Sequence, residues 1–396
     1  MLAVWRPGHP LWLAPHRPFF LLAGFWAVLV PIVWLVPEGL GPEPISWHRH
    51  ELLFGMGGAA VGGYLLTALP AWTKGAAPPA VTRLLVALWI AGRLAVAIGP
   101  HPILAAIAEG SYFLGLGGFL SLAVFNARAW ERTPLAIAPI LLGLFALLST
   151  SDLGLAEGRG IMRALPLVYA LLISLIGGRM LAAFTMHWSR RYQPEVRVAD
   201  ASRIGQGAIL ALGVALVLLL AEADAAVGPL LILSGLLQLL RMLSWRSWRT
   251  ARYPALLLLH LAWLWLALGL AITGISLLPS NPLDAAAGLH ALTMGAMGTM
   301  MLAIMARAAM ARRDTRLSVS LPLAVAFASV FLSAPIRLSA SFAGEYGQPL
   351  ALQLSAMVWC CGWMLFLWSF RPVLQGPVQR PVLSARISDA PSDEET

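Results

Sequence analysis

Apolar runs of about twenty residues recur from one end of this chain to the other, and no other feature constrains its fold as strongly. In lipid, every backbone N–H and C=O must find a partner inside the protein, so only helix bundles and closed β-barrels can span a membrane. Barrel strands alternate apolar and polar residues over about ten positions. The runs here are longer and do not alternate. Only 11% of the 396 residues are charged, against roughly 25% in a soluble domain, so the chain lacks the polar surface to cover a water-soluble globule. The expectation is an all-α fold, a polytopic transmembrane helix bundle of about twelve spans.

The runs fall near 18–36, 51–73, 82–99, 102–126, 134–151, 162–186, 203–221, 226–241, 254–279, 286–309, 319–340 and 349–370. Proline-bounded turns such as Gly99-Pro100-His101-Pro102 and Pro279-Ser280-Asn281-Pro282 separate them. Loop charge supports the count. With the N-terminus inside, the inner segments collect most of the arginines, among them Arg190, Arg191, Arg249, Arg252, Arg312, Arg313 and Arg316, while the outer segments hold Arg49, Arg159, Arg163 and, at the edge of a span, Arg337. Both termini are therefore expected in the cytoplasm, with a multi-pass location in the cytoplasmic membrane. Residues 1–372 read as one integral membrane domain and 373–396 as a polar cytoplasmic tail, expected to be disordered. Prolines, His9 and His16 interrupt the first residues, so the first run reads as a retained span rather than a signal peptide.

The net charge of +9 arises almost entirely from these loop arginines, and no nucleic-acid partner is expected. Cys360 and Cys361, the two cysteines, are adjacent and carry no disulfide framework; the lack of a Cys-x-x-Cys-His motif excludes covalent c-type haem. There is no Walker loop and no His-Glu-x-x-His. No tandem repeat is evident, which weighs against an inverted-repeat transporter.

Polar residues are sparse enough that each is informative. Trp47-His48-Arg49-His50-Glu51 opens the second span and offers imidazole and carboxylate ligands to a transition metal. On a helix His48 and His50 point about 200° apart, so they would not share one metal unless the backbone is extended; a solvated interfacial cap is the competing reading. His50 is the better candidate to point into the bundle, with Glu51 fixing an imidazole tautomer. His290 starts the tenth span on the same predicted membrane face, so it could meet His48 and His50. Met294, Met297, Met301 and Met305 follow it at helical spacing. Thioethers can ligate copper or haem iron, although methionine stripes usually fill packing gaps. His260, within the ninth span, is either a ligand or a hydrogen-bonding partner of a neighbouring helix. Two arginines, Arg93 and Arg179, sit inside apolar runs. Arg179, after Gly177-Gly178, is a counter-ion for an anionic ligand such as a haem propionate, a partner for an intramembrane acid such as Glu109, or a snorkelling side chain. No catalytic residue can be assigned.

Several ordered blocks resemble the NnrS family of bacterial membrane proteins over essentially the whole chain. His16-Arg17-Pro18-Phe19-Phe20-Leu21 resembles the family's Phe-Arg-Pro-Phe-Phe-Leu opening, with His16 in place of the aromatic residue. Trp47-His48-Arg49-His50-Glu51-Leu52-Leu53-Phe54-Gly55 and Tyr64-Leu65-Leu66-Thr67-Ala68-Leu69-Pro70-Ala71-Trp72-Thr73 resemble its next two blocks. Gly177-Gly178-Arg179 and the block from His290 to Met300 follow in order. Two departures stand out: Lys74 interrupts Trp-Thr-Gly, and Met310-Ala311-Arg312-Arg313-Asp314-Thr315-Arg316 replaces the family's Gly-His-Thr-Gly-Arg stretch. The resemblance implies an inner-membrane protein that holds haem b and copper and acts in nitric oxide metabolism or nitrosative-stress resistance. It carries implied metal ligands to His48, His50, His260 and His290, without saying which metal each takes, and leaves Arg179 as the residue facing a propionate. Any catalysis would be a haem-dependent redox step on nitric oxide or a related species. A secondary transporter for a metal or small anion is the alternative.

Overall fold

The computed structural model describes residues 5–6, 8–35, 43–73, 75–99, 101–149, 159–279, 283–313 and 316–383. Among them, twelve helices are long and apolar enough to cross a membrane. They are α1 (His16–Trp34), α2 (Pro44–Thr73), α3 (Pro79–Ile98), α4 (Pro102–Asn126), α5 (Trp130–Leu148), α6 (Gly160–Tyr192), α7 (Ser202–Leu220), α8 (Asp224–Ser244), α9 (Pro254–Ser276), α10 (Ala285–Ala309), α11 (Leu321–Ser339) and α12 (Gly344–Gln375). Between α10 and α11 a two-stranded antiparallel hairpin pairs β1 (Ala311–Arg313) with β2 (Arg316–Ser318).

The sequence shows where these helices begin. Pro44, Pro79, Pro102 and Pro254 each occupy the first turn, where the missing N–H is not needed. The Glu43 carboxylate caps α2, accepting from the N–H groups of Ile45 and Ser46 at 3.0 and 2.7 Å. His101 caps α4 through Nδ1, and Gly99 ends α3 in the left-handed conformation. The helix carrying the histidine motif thus starts at Pro44, well before the apolar run at 51, so His48 and His50 both lie on helix. The run at 226–241 extends to a complete span, Asp224–Ser244.

Helices adjacent in sequence pack against each other, and α1 closes the bundle by lying against both α2 and α12. The most enclosed helices are α2, α9 and α10. Lipid provides no hydrophobic drive for helices to associate, so close packing at small residues must supply it. In α2 and α10 several of these small residues receive aromatic rings. A Cβ at Gly58 would fall 2.7 Å from Phe113, at Gly63 2.8 Å from Phe20, and at Gly298 2.6 Å from Trp359.

The chain end departs from expectation. α12 continues to Gln375, and the residues after it are held by buried or half-buried arginines. Arg17 donates to the carbonyls of Pro10 (2.6 Å), Leu374 (3.4 Å) and Gly376; Arg307 donates to Leu383 O at 2.6 Å and Ala255 O at 3.0 Å; and Arg312 donates to Pro381 O and Val382 O. The first part of the expected disordered tail is therefore docked. From residue 384 onward it lies outside the described residues.

Candidate functional site

Three stretches of π-helix interrupt the spans: Glu51–Met56 in α2, Ile173–Gly177 in α6 and Ala291–Gly298 in α10. Each coincides with a glycine-containing block singled out in the sequence. An inserted residue widens the turn and disturbs the i→i−4 ladder, and such bulges are frequent at functional sites.

In α2 the disturbed stretch is tied to three other helices through its carbonyls. Leu53 O accepts from the Tyr169 hydroxyl (2.6 Å), Gly55 O from Trp89 Nε1 (3.0 Å) and Gly58 O, one turn on, from the Tyr112 hydroxyl (2.8 Å). At its start sits a buried charge network. Glu51 accepts from Trp26 Nε1 (2.6 Å) and from Arg93 Nη1 (2.9 Å). Arg93 also pairs with Glu109. His50 lies between the two acids, with Nδ1 3.1 Å from Glu51 Oε1 and Nε2 2.7 Å from Glu109 Oε2. Glu51, Arg93 and Glu109 are each at most 5% exposed. Gly92 makes this reach possible, since a Cβ there would lie 3.0 Å from the Glu109 backbone. Arg93 is thus paired with intramembrane acids, which are Glu51 as well as Glu109. Both ring nitrogens of His50 face carboxylate oxygens, so His50 has no ring nitrogen left for a metal in this arrangement.

His48 points the other way, as the helical spacing predicts. Its ring lies 6.0 Å from that of Trp34, and its Nδ1 is buried without a hydrogen-bond partner. His48 is within electrostatic reach of His290, and both lie in the field of Arg337 on α11. The His290 ring is fixed by a 2.7 Å bond between Nδ1 and Ala286 O. That bond requires the proton on Nδ1 and leaves Nε2 as the basic nitrogen, the arrangement by which ligating histidines are usually oriented. Of the three histidines expected to meet, His50 is engaged by two carboxylates, while His48 and His290 stand at the starts of α2 and α10 within electrostatic reach of each other.

His260 and Arg179 take other roles. Both ring nitrogens of His260 are engaged, Nε2 with Thr185 Oγ1 (2.9 Å) and Nδ1 with Ser247 Oγ (2.7 Å), so it joins α9 to α6 and to the segment after α8. These bonds are those of a histidine that links neighbouring helices. Arg179 lies exposed on α6, which matches the snorkelling reading and not the buried counter-ion. Gly177 and Gly178 make room instead for Trp263 and for Arg241, whose guanidinium pairs with Asp200 at 3.1 Å and stacks on Trp245 at 4.8 Å. Met297, Met300, Met301 and Met305 are buried packing residues.

Sequence reasoning assigned Arg241 to an inner segment and missed it as a buried cation, while Arg337, placed at the edge of a span, is half-buried near the end of α11. It also missed a short repeat. His50-Glu51-Leu52-Leu53-Phe54-Gly55-Met56-Gly57-Gly58 and His290-Ala291-Leu292-Thr293-Met294-Gly295-Ala296-Met297-Gly298 share His-x-Leu-x-x-Gly-x-x-Gly, and both widen into π-helix just after the histidine.

The fold and this cluster define a multi-pass helical membrane protein with ionisable groups enclosed between its spans. The family described as NnrS protein matches residues 10–377, and the chain belongs to that family. No curated protein and no solved structure matches it.

A haem or copper ligand set must be compatible with these side chains. Among the described residues no three His, Cys, Asp or Glu side chains gather into a group able to hold a metal ion. His48 and His290 would be the residues to hold such a group, because among the described residues His48 Nδ1 is buried without a hydrogen-bond partner and His290 is bonded only through Nδ1, which leaves Nε2 basic.

Proposed function

We propose that this chain binds haem b and copper in the bacterial inner membrane and acts on nitric oxide, in its metabolism or in resistance to nitrosative stress. The observation that carries the reading is that His48 on α2 and His290 on α10 lie within electrostatic reach of each other and of Arg337, with His48 Nδ1 buried without a hydrogen-bond partner and His290 bonded to Ala286 O through Nδ1 alone among the described residues. Membership of the NnrS family supports the nitric oxide link. Bound at these histidines, haem supplies an iron able to take a diatomic ligand. The protein's part is orientation and charge. Ala286 O holds the His290 ring in one tautomer, Arg337 would offer a cation to the carboxylates of a tetrapyrrole, and the Trp34 ring lies 6.0 Å from that of His48. Nitric oxide is small and apolar and reaches such a site from the lipid phase. The test is the absorption spectrum and metal content of the protein purified from cells supplied with haem and copper, recorded with and without nitric oxide. A Soret band that shifts with nitric oxide is expected. A purified, folded protein with neither Soret band nor copper overturns the proposal.

A further inference from the structure

At the end of the bundle opposite to His48 and His290, a cleft of ≈ 530 Å³ opens between the hairpin and the start of α9. Arg252, Arg313 and Arg316 line it, together with Tyr192, Tyr253 and Ser318. Arg313 and Arg316 are directly opposed across the hairpin ladder. Side chains opposite each other in an antiparallel pair project to the same face, and like charges so placed are destabilising. Among the described residues none of these three arginines is in an ion pair. The N-terminus of α9 also ends here, at Pro254, and adds the positive end of a 23-residue helix to the same space.

The cleft is also held in shape. The Arg316 guanidinium lies 3.7 Å from the centre of the Tyr192 ring, and the Tyr253 hydroxyl accepts from Leu317 N at 2.9 Å, tying β2 to the start of α9. Trp188 stacks on Tyr253 at 6.5 Å. Stacking keeps a guanidinium's donors in plane and available, and paired guanidinium groups suit the oxygens of a phosphate.

We propose that this cleft is a phosphate-binding site, with Arg313 and Arg316 clamping the phosphate from the hairpin and Arg252 from the start of α9. A phospholipid headgroup and a soluble phosphate present the same chemistry to it. The site is independent of the haem and copper reading, since it shares no residue with it.

Two measurements on the full-length protein separate the sources. Equilibrium dialysis with radiolabelled inorganic phosphate, in neutral detergent, reads the soluble ligand. Native mass spectrometry after reconstitution in phosphatidylglycerol–phosphatidylcholine nanodiscs reads retained anionic lipid. At least one is expected to show saturable binding that falls tenfold or more in Arg313→Gln/Arg316→Gln. Arg249→Gln removes a charge from an exposed position nearby that does not line the cleft, and should bind as the parent does. Arg252→Gln, which leaves the hairpin intact, gives the second reading if the double variant is poorly folded. Binding only to phosphate or only to lipid names the source. No saturable binding in either arm, or an equal loss in Arg249→Gln, overturns the proposal.

Discussion

The beginnings of α2 and α10 carry the same nine-residue pattern and are built to opposite ends. Both place a histidine one residue before a π-helical stretch, and both fill the first glycine's space with an indole, Trp26 against Gly55 and Trp265 against Gly295. The residue after the histidine differs: Glu51 in α2, Ala291 in α10. With the carboxylate present, Arg93 and Trp26 converge on Glu51, Arg93 also holds Glu109, and the two acids engage both ring nitrogens of His50. Without it, His290 among the described residues bonds only its own helix, and in the π-stretch Thr299 donates to Gly295 O. At one end both ring nitrogens face carboxylates, and at the other Nε2 of the imidazole is left basic.

The largest effect on stability is expected at the saturated end. Arg93→Met leaves Glu51 and Glu109 buried together without their cation, and breaking a buried pair in this way costs about 3–5 kcal/mol. Thermal unfolding in detergent should show a large drop or no folded protein; an unchanged midpoint would remove the network as the element holding α2, α3 and α4 together.

The matched glycines come next. Gly55→Ala and Gly295→Ala each push a Cβ to 2.5 Å from an indole, and overpacking of this kind costs roughly 1–3 kcal/mol. Gly55→Ala should be the worse, because displacing Trp26 also breaks its bond to Glu51. Equal midpoints for the two variants would mean that the indole bond adds nothing.

At the open end stability should barely change while occupancy does. His290→Ala and His48→Ala are expected to keep the wild-type unfolding midpoint to within about 1 kcal/mol and to lose most of the bound haem or copper, read by the Soret absorbance and metal analysis. Full occupancy in both variants would falsify their role as ligands. The reverse outcome, loss of metal in His260→Asn alone, would move the site to α9.

Arg179→Gln should have the smallest effect, with unchanged midpoint and metal content, because the side chain lies exposed on α6. A drop in haem content in this variant would restore the propionate role to Arg179 and take it from Arg337.

Much of the α2 end could be read in advance. Glu109 was one candidate acid for an arginine inside an apolar run, and Arg93 is the arginine it meets. Glu51 as a second partner was not legible, since it was read as serving His50 rather than a helix away in space. Gly177-Gly178 drew attention through its sequence neighbour Arg179, whereas the side chains that fill the glycine space are Trp263 from α9 and Arg241 from α8. Tyr169, Trp89 and Tyr112 gave no signal as hydrogen-bond donors, because an aromatic residue in a membrane span looks like packing until its hydroxyl or indole is seen to meet a freed carbonyl.

What the sequence determined by itself was the set of spans, because backbone satisfaction in lipid forces each apolar run into helix over a length set by the bilayer. It also determined that His48 and His50 point apart, which follows from helical spacing alone. Which histidine meets which partner was decided only by the tertiary structure. Each residue added in a π-turn rotates everything after it by about 100°, given 3.6 residues per turn. The hydrophobic pattern does not record that shift, and the faces of α2, α6 and α10 beyond their π-stretches are therefore set by the helices packed against them.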